Sequence, residues 1–212
     1  MVGPINMVEL TVFAGVNGAG KSTLYKSSNM TTLGVRINAD DILKRQNGDW
    51  RSRADTLKAM KQELKLINSC FDQHQSFNFE TTLSGSPRYF YRLFDKAHTL
   101  GYTVNMKYVG VSSSDLAIRR VKNRVRQGGH GVPFKLVKKR YSKSLQNLTF
   151  VISQVDNIEL IDNSTQLKTI YKRKGNEIRH TADVLPDWAK TPIANDMHIS
   201  FKDLNDEHHF EL

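Results

Sequence analysis

The sequence predicts an α/β fold in three layers, with a mainly parallel central sheet, helices on both faces and a basic helical lid. Three observations carry that expectation. An apolar strand over residues 8–14 runs into Gly15-Val16-Asn17-Gly18-Ala19-Gly20-Lys21-Ser22-Thr23, a full match to the G-x-x-x-x-G-K-[ST] phosphate loop. Short apolar runs then alternate with helix-length segments through most of the chain. The early runs end in Asn38-Ala39-Asp40-Asp41 and Glu80-Thr81-Thr82, at the carboxyl ends of strands where open α/β sheets place their ligands.

Each element follows from local pattern. Val8 to Ala14 reads as a buried strand, and Lys21 to Ser28 opens a helix. Gly34 to Asn38 is a short second strand. Leu57, Met60, Leu64, Ile67 and Phe71 recur at three- and four-residue steps, predicting an amphipathic helix over about 53–73. Ser76 to Phe79 is a third strand, leading into Glu80-Thr81-Thr82-Leu83-Ser84. Pro87 starts a helix whose apolar face is Phe90, Leu93, Ala97 and Leu100, with Gly101 as its stop. Thr103 to Val111 is a fourth strand, followed by Ser112-x-x-Asp115 as a helix-start signal. The helix through Leu116, Val121 and Val125 ends at Gly128-Gly129, and Pro133 restarts the chain into a helix carrying Leu136, Val137, Tyr141, Leu145, Leu148 and Ile152. Asn157 to Ile161 is a fifth strand, ending at Asp162-Asn163-Ser164, and a hairpin over about 165–182 turns at Gly175-Asn176. These elements predict one domain over 1–194, with the lid at about 112–150, and a polar tail over 195–212. Beyond Leu185-Pro186-Asp187-Trp188 little structure is expected.

Composition excludes several classes. Of the 212 residues 39% are hydrophobic and 9% aromatic, too many for a disordered or collagen-like chain. The apolar stretches are too short to span a bilayer and the N-terminus lacks the pattern of a secretory signal, which points to the cytoplasm. Cys70 is the only cysteine and lies among apolar residues at helical spacing, as a core thiol would. The net charge of +10 has a location: residues 119–143 hold ten Lys or Arg and no acid, which accounts for the whole excess.

The phosphate loop calls for a nucleoside triphosphate, ATP or GTP, with Mg²⁺. Gly15, Asn17, Gly18, Ala19, Gly20, Lys21, Ser22 and Thr23 form its cradle, Lys21 reaching the β and γ phosphates and Ser22 holding the metal. No D-x-x-G or N-K-x-D element stands where a switch GTPase needs one, so donation of the γ-phosphoryl group to a small acceptor is the favoured use. Asp40 is the candidate to orient the acceptor hydroxyl and take its proton late in a loose transition state. Asp41 either joins it at the acceptor or caps the helix near Ile42. Glu80 holds a substrate hydroxyl or a magnesium-bound water. Ten cations without counterions call for an anionic partner. Split by Gly128-Gly129, they suit a lid whose arginines, Arg120 and Arg124 on adjoining turns, close on phosphates. A nucleic-acid surface is the alternative. His130 beside the glycines is a phosphate contact or a turn residue, and Asp162-Asn163-Ser164 lines the base or ends a strand. His208-His209 and the separated histidines show no metal-ligand spacing.

Taken together, G-V-N-G-A-G-K-S-T at 15–23, I-N-A-D-D-I at 37–42, F-N-F-E-T-T-L-S at 77–84, Y-V-G-V from Tyr108, R-V-K-N-R-V-R-Q-G-G-H at 120–130 and R-Y-S-K-S-L-Q-N-L at 140–148 resemble the zeta-toxin family of P-loop kinases over residues 8–164. The resemblance implies a P-loop kinase fold related to chloramphenicol phosphotransferase, and ATP- and Mg²⁺-dependent phosphorylation of a sugar hydroxyl in UDP-N-acetylglucosamine. It aligns Asp40 with the catalytic base, Glu80 and Thr82 with sugar-nucleotide contacts, Arg124 with a phosphate-binding lid arginine and Arg140 with a second. It also implies an antitoxin protein as a possible partner. Two positions depart from the family's pattern: Ser84 stands where an arginine is usual, and Phe134-Lys135 follow Val132-Pro133 where acids are usual. The acceptor is therefore a sugar nucleotide or another hydroxylated metabolite.

Overall fold

The computed structural model describes residues 8–27 and 34–207, with side chains through residue 198. Seven strands form one sheet: β1 (Glu9–Ala14), β2 (Val35–Ile37), β3 (Phe77–Thr81), β4 (Thr103–Gly110), β5 (Asn157–Asp162), β6 (Lys168–Lys174) and β7 (Glu177–Thr181). Their order is β2-β3-β1-β4-β5-β6-β7, parallel through β5 and antiparallel from β5 to β7. The expected hairpin is thus an antiparallel extension of the sheet.

Helices α1 (Lys21–Ser27), α2 (Ala39–Arg45), α3 (Arg53–Asp72), α4 (Pro87–Thr99), α5 (Ser114–Arg126), α6 (Phe134–Val151) and α7 (Asp187–Glu207) cover both faces. Successive side chains of a strand point to opposite faces, and the two cores obey that period. Leu10, Val12 and Ala14 of β1, Val104, Met106 and Tyr108 of β4, and Ile158 and Leu160 of β5 pack with α3, α4 and α7. Phe13, Val109 and Ile161 face the other way, onto Leu24 of α1, Ala117 and Val121 of α5, and Val137 of α6. This is the architecture of a P-loop kinase.

Three local expectations are corrected. Helix α5 is capped by Ser113, whose hydroxyl accepts from Leu116 N, one residue later than the sequence signal suggested. In α3 the buried residues are Ala59, Ile67, Cys70 and Phe71, whereas Leu57, Met60 and Leu64 are 47%, 48% and 42% exposed. The first turns of α3 overhang a cleft, so their apolar stripe meets that opening and not the core. The third correction is the C-terminal segment, which is helical through Glu207 despite its polar look; residues 208–212, including His208-His209, lie outside the described residues. Trp188, Ala189, Ile193 and Asp196 share its buried face. The stripe was hard to read because one of its members is an acid.

That acid has a partner. Arg173 Nε donates to Asp196 Oδ2 at 2.8 Å, Tyr171 donates to the same oxygen at 2.8 Å, and the remaining guanidinium nitrogens donate to the carbonyls of Asp156, Gly175, Ile152 and Val155. With both side chains buried, the group ties α7 to β6 and to the entrance of β5. Arg173→Ala leaves Asp196 buried without its guanidinium, so a loss of about 3–5 kcal/mol is expected in urea denaturation at neutral pH.

Candidate active site

A cleft of about 790 Å³ opens at the carboxyl ends of β1, β2 and β3. The phosphate loop forms its floor. Gly15 and Gly20 have φ of 133° and 108°, and a Cβ would collide with the Val109 backbone at the first and the Asn163 side chain at the second. Asn163, at the end of β5, donates to Ala19 O at 2.7 Å and so clamps the loop. Trp188 Nε1 donates to the neighbouring Asp162 Oδ1 at 2.9 Å, linking the clamp to α7. Lys21 Nζ donates to Gly15 O at 2.7 Å and Val16 O at 3.3 Å. Burial pushes its ammonium below the usual lysine range, opposed by Glu80 and Asp40 and aided by Arg124 and Arg140.

The acidic tips meet this floor from one side. Asn38 caps α2, its Oδ1 accepting from Asp40 N at 2.8 Å and Asp41 N at 3.3 Å, so the capping role considered for Asp41 belongs to Asn38. Asp40 faces the cleft. Asp41 instead turns to Arg36 Nε at 3.5 Å and is not part of the cleft lining. Glu80 lies level with Phe13 in the β1–β3 ladder. Its Oε1 accepts from Arg36 Nη2 at 2.6 Å and its Oε2 from Ser22 Oγ at 3.1 Å. Ser22 and Glu80 thus place two oxygens side by side at the loop, a pair whose chemistry would suit a hard cation such as Mg²⁺.

Beyond Glu80 the chain bends sharply. Leu83 is buried at φ 53°, a left-handed conformation that costs a bulky residue about 1–2 kcal/mol. It is held there by its N–H donating to Thr81 Oγ1 and by Asn147 of α6, whose Nδ2 donates to Leu83 O at 2.7 Å and Gly85 O at 2.9 Å. Thr82 lines the cleft, its hydroxyl 2.7 Å from that of Ser84, the residue standing where the resembled family usually has arginine.

The cations come from the opposite side. Arg120, Arg124 and Arg140 line the cleft with Lys21. Arg140 Nη1 donates to Asn17 Oδ1 at 2.9 Å, and Arg120 Nη2 donates to Ser164 O at 3.3 Å. Arg120 Nη1 and Arg124 Nε and Nη2 are buried with no hydrogen-bond partner among the described residues. Such orphaned donors are costly unless an anion joins them, and they fit a phosphate-bearing ligand.

Two contributors, Arg36 and Glu63, escaped the sequence reading, and a third, His130, meets a neighbour that reading did not name. Arg36 bridges Asp41 and Glu80 while its guanidinium lies 3.6 Å from the Tyr25 ring centroid. Burial disfavours its charge, but the Glu80 hydrogen bond and both carboxylates outweigh that and raise its pKa. His130, read as a phosphate contact or turn residue, has Nε2 3.6 Å from Asp40 Oδ1. Glu63 of α3 lines the cleft, beside the backbone N–H of Ala39. Burial raises its pKa to about 7, with Asp40 and Glu80 adding to the rise. The available signal was its spacing from Met60 and Ala59 on one helix face; a charge there is usually a solvated one.

Residues 10–150 match the sequence profile of the AAA domain family. An uncharacterized protein of Haemophilus influenzae is 33% identical over 129 residues, which is 61% of this chain and 89% of that protein. A chain from the PezAT chromosomal toxin–antitoxin system of Streptococcus pneumoniae superposes with a TM-score of 0.64 at 15% identity, over 95% of this chain and 87% of that one. A chain of the Pnkp1/Rnl/Hen1 RNA repair complex gives 0.52 at 21% identity over 66% of this chain; the match spans 45% of that longer chain. Both likenesses are of fold. No helix among the described residues is long and apolar enough to cross a membrane.

The Glu63 carboxyl supplies a test of the cleft's electrostatics. Its folded pKa of about 7 lies above the ordinary glutamate value of 4.5, so its contribution to stability is full below about 4.5, falls as pH rises from there, and the loss is complete above about 7. Urea denaturation of Glu63→Gln against the parent, at pH 5 and pH 8, should show the parent losing up to about 3 kcal/mol relative to the variant.

Proposed function

The chain belongs to the AAA domain family, and we propose that it is a kinase of the zeta-toxin kind, acting on a hydroxyl of a sugar nucleotide such as UDP-N-acetylglucosamine. ATP supplies the γ-phosphoryl group and Mg²⁺ offsets its charge. The observation that carries this reading is the set of buried nitrogens on Arg120 and Arg124 with no hydrogen-bond partner among the described residues, sharing one cleft with Lys21 and Asp40.

In this reading Lys21 gives up the Gly15 and Val16 carbonyls for phosphate oxygens, and Ser22 beside Glu80 holds the metal. Arg120 and Arg124 neutralise charge that spreads over the transferring group, and Arg140 keeps Asn17 in place over the loop. Asp40 receives the proton of the acceptor hydroxyl. Glu80, fixed from two sides, and the Thr82 hydroxyl orient the acceptor, whose further face meets Glu63 and the exposed Leu57 and Met60. A cytoplasmic setting and an antitoxin partner belong to the same reading.

A second reading rests on the outer lid. Arg119, Lys122, Arg126, Lys135, Lys138 and Lys139 are exposed and outside the main cleft, as a nucleic-acid surface requires. Salt-dependent retention of DNA or RNA, with no metabolite phosphorylated, would rank it first.

The deciding experiment incubates the protein with ATP, Mg²⁺ and a metabolite panel including UDP-N-acetylglucosamine, and seeks by mass spectrometry a product heavier by one phosphoryl group. Lys21→Ala should lose ATP binding and product together. Asp40→Asn should keep ATP affinity while kcat falls about 10²–10⁴-fold. Arg124→Ala should lower kcat about 10²–10³-fold. Full turnover by Asp40→Asn would refute the assignment of the base.

A further inference from the structure

We infer that His130 is a positioning residue for Asp40: its Nε2–H donates to Asp40 Oδ1 and leaves the second carboxylate oxygen for the acceptor hydroxyl. The chemical consequence rests on the phosphotransfer reading; the pairing itself does not.

Asp40 is held unevenly. Its backbone N–H is fixed by Asn38, yet its half-exposed carboxylate has no hydrogen bond among the described residues, and the one ion-pair contact it makes is with His130. A carboxylate free to turn spends much of its time with neither oxygen toward the acceptor. His130, on the loop between α5 and α6, can remove that freedom. Its side chain is 26% exposed, and the Trp50 ring packs against it with centroids 5.7 Å apart. The next residue, Gly131, has no space for a Cβ between Trp50 and Val125, so the loop sits tightly on that ring. The 3.6 Å separation exceeds an N–H···O hydrogen bond by roughly 0.7 Å, a gap of the size that catalytic contacts close when substrate binds.

Which protonation state His130 has decides whether this helps. Asp40 from α2, Asp49 from the loop after it, Arg124 from α5 and Arg140 from α6 all bear on the imidazole. Burial, with the two arginines, pushes it below the ordinary histidine value, against the pull of the two aspartates. At neutral pH it is an uncharged donor. An imidazolium would pair with Asp40 and weaken it as a base; a neutral N–H orients the carboxylate while taking less of its basicity. In the transfer step the acceptor O–H bond breaks, its proton passes to the free oxygen of Asp40, the acceptor oxygen bonds to phosphorus, and the bond from phosphorus to the ADP oxygen breaks.

The test has one arm that needs no acceptor. In an NMR titration of the whole protein, with the His130 signal identified through His130→Gln, Asp40→Asn should lower the His130 midpoint by about 0.5–1 pH unit. In the second arm, with the phosphorylated acceptor found above, His130→Ala should lower kcat about 10-fold with the KM for ATP unchanged. His130→Gln, which keeps an N–H donor, should recover most of that loss and remove the His130 contribution to the acid limb of the pH profile. An unmoved His130 midpoint overturns the pairing, and an unchanged kcat in His130→Ala overturns the positioning role. A moved midpoint with no phosphorylated acceptor supports the pairing and counts against the phosphotransfer reading alone.

Discussion

The parallel ladder joining β2, β3 and β1 is the constraint from which the site follows. Ile37 pairs with Phe79 and Phe13 with Glu80, so the chain leaving β2, the carboxylate of β3 and the turn leaving β1 arrive at the same level. The side-chain period of a strand is two, so a one-residue slip in β3 would carry Glu80 to the opposite face and bring Phe79 to Ser22. Phe77 and Phe79 are packed in the main core, which makes such a slip expensive. Hydrophobic burial beneath the sheet thereby sets the position of polar groups above it, and β3 serves as both core strand and arm of the cleft.

Charge is then sorted across the opening. Asp40, Glu63 and Glu80 are brought by α2, α3 and β3, while Arg120, Arg124 and Arg140 are brought by α5 and α6, with Lys21 on the floor between. Like charges brought this close repel, and each side is tempered locally: Arg36 sits between Asp41 and Glu80, and Arg140 and Arg120 each engage a neutral oxygen. Among the described residues Arg124 lacks such relief at two of its nitrogens. The helix that carries Arg140 also carries Asn147, which holds the bend at Leu83, so the basic wall and the turn after β3 share one element.

Much of this was legible in the residues because glycine, lysine and strand-end acids each leave a local signature. The phosphate loop needs glycines at fixed places, and Asp40 and Glu80 follow apolar runs whose ends are evident. Arg36 left no such mark: it occupies an ordinary position within a short strand, and its value comes from Glu80, 44 residues away. Glu63 resembles the solvated acid of any surface helix until α2 and the β3 tip close over it. His130 lay beside a recognisable glycine pair, yet its nearness to Asp40 depends on how the loop between α5 and α6 folds over Trp50. The C-terminal helix was hidden for a different reason, since Asp196 interrupts its apolar stripe and only Arg173, 23 residues earlier, makes that interruption tolerable.

The two carbonyls engaged by Lys21 have a consequence for what the cleft admits. Any incoming anion must outbid the loop's own main-chain dipoles for the ammonium group, and releasing it also strips the Gly15 and Val16 oxygens of a donor. A single phosphate offers few acceptors to that exchange, whereas a triphosphate would bring several at once to a cleft that Lys21 shares with Arg120, Arg124 and Arg140. In the kinase reading, discrimination by length would follow from this competition within the protein's own loop.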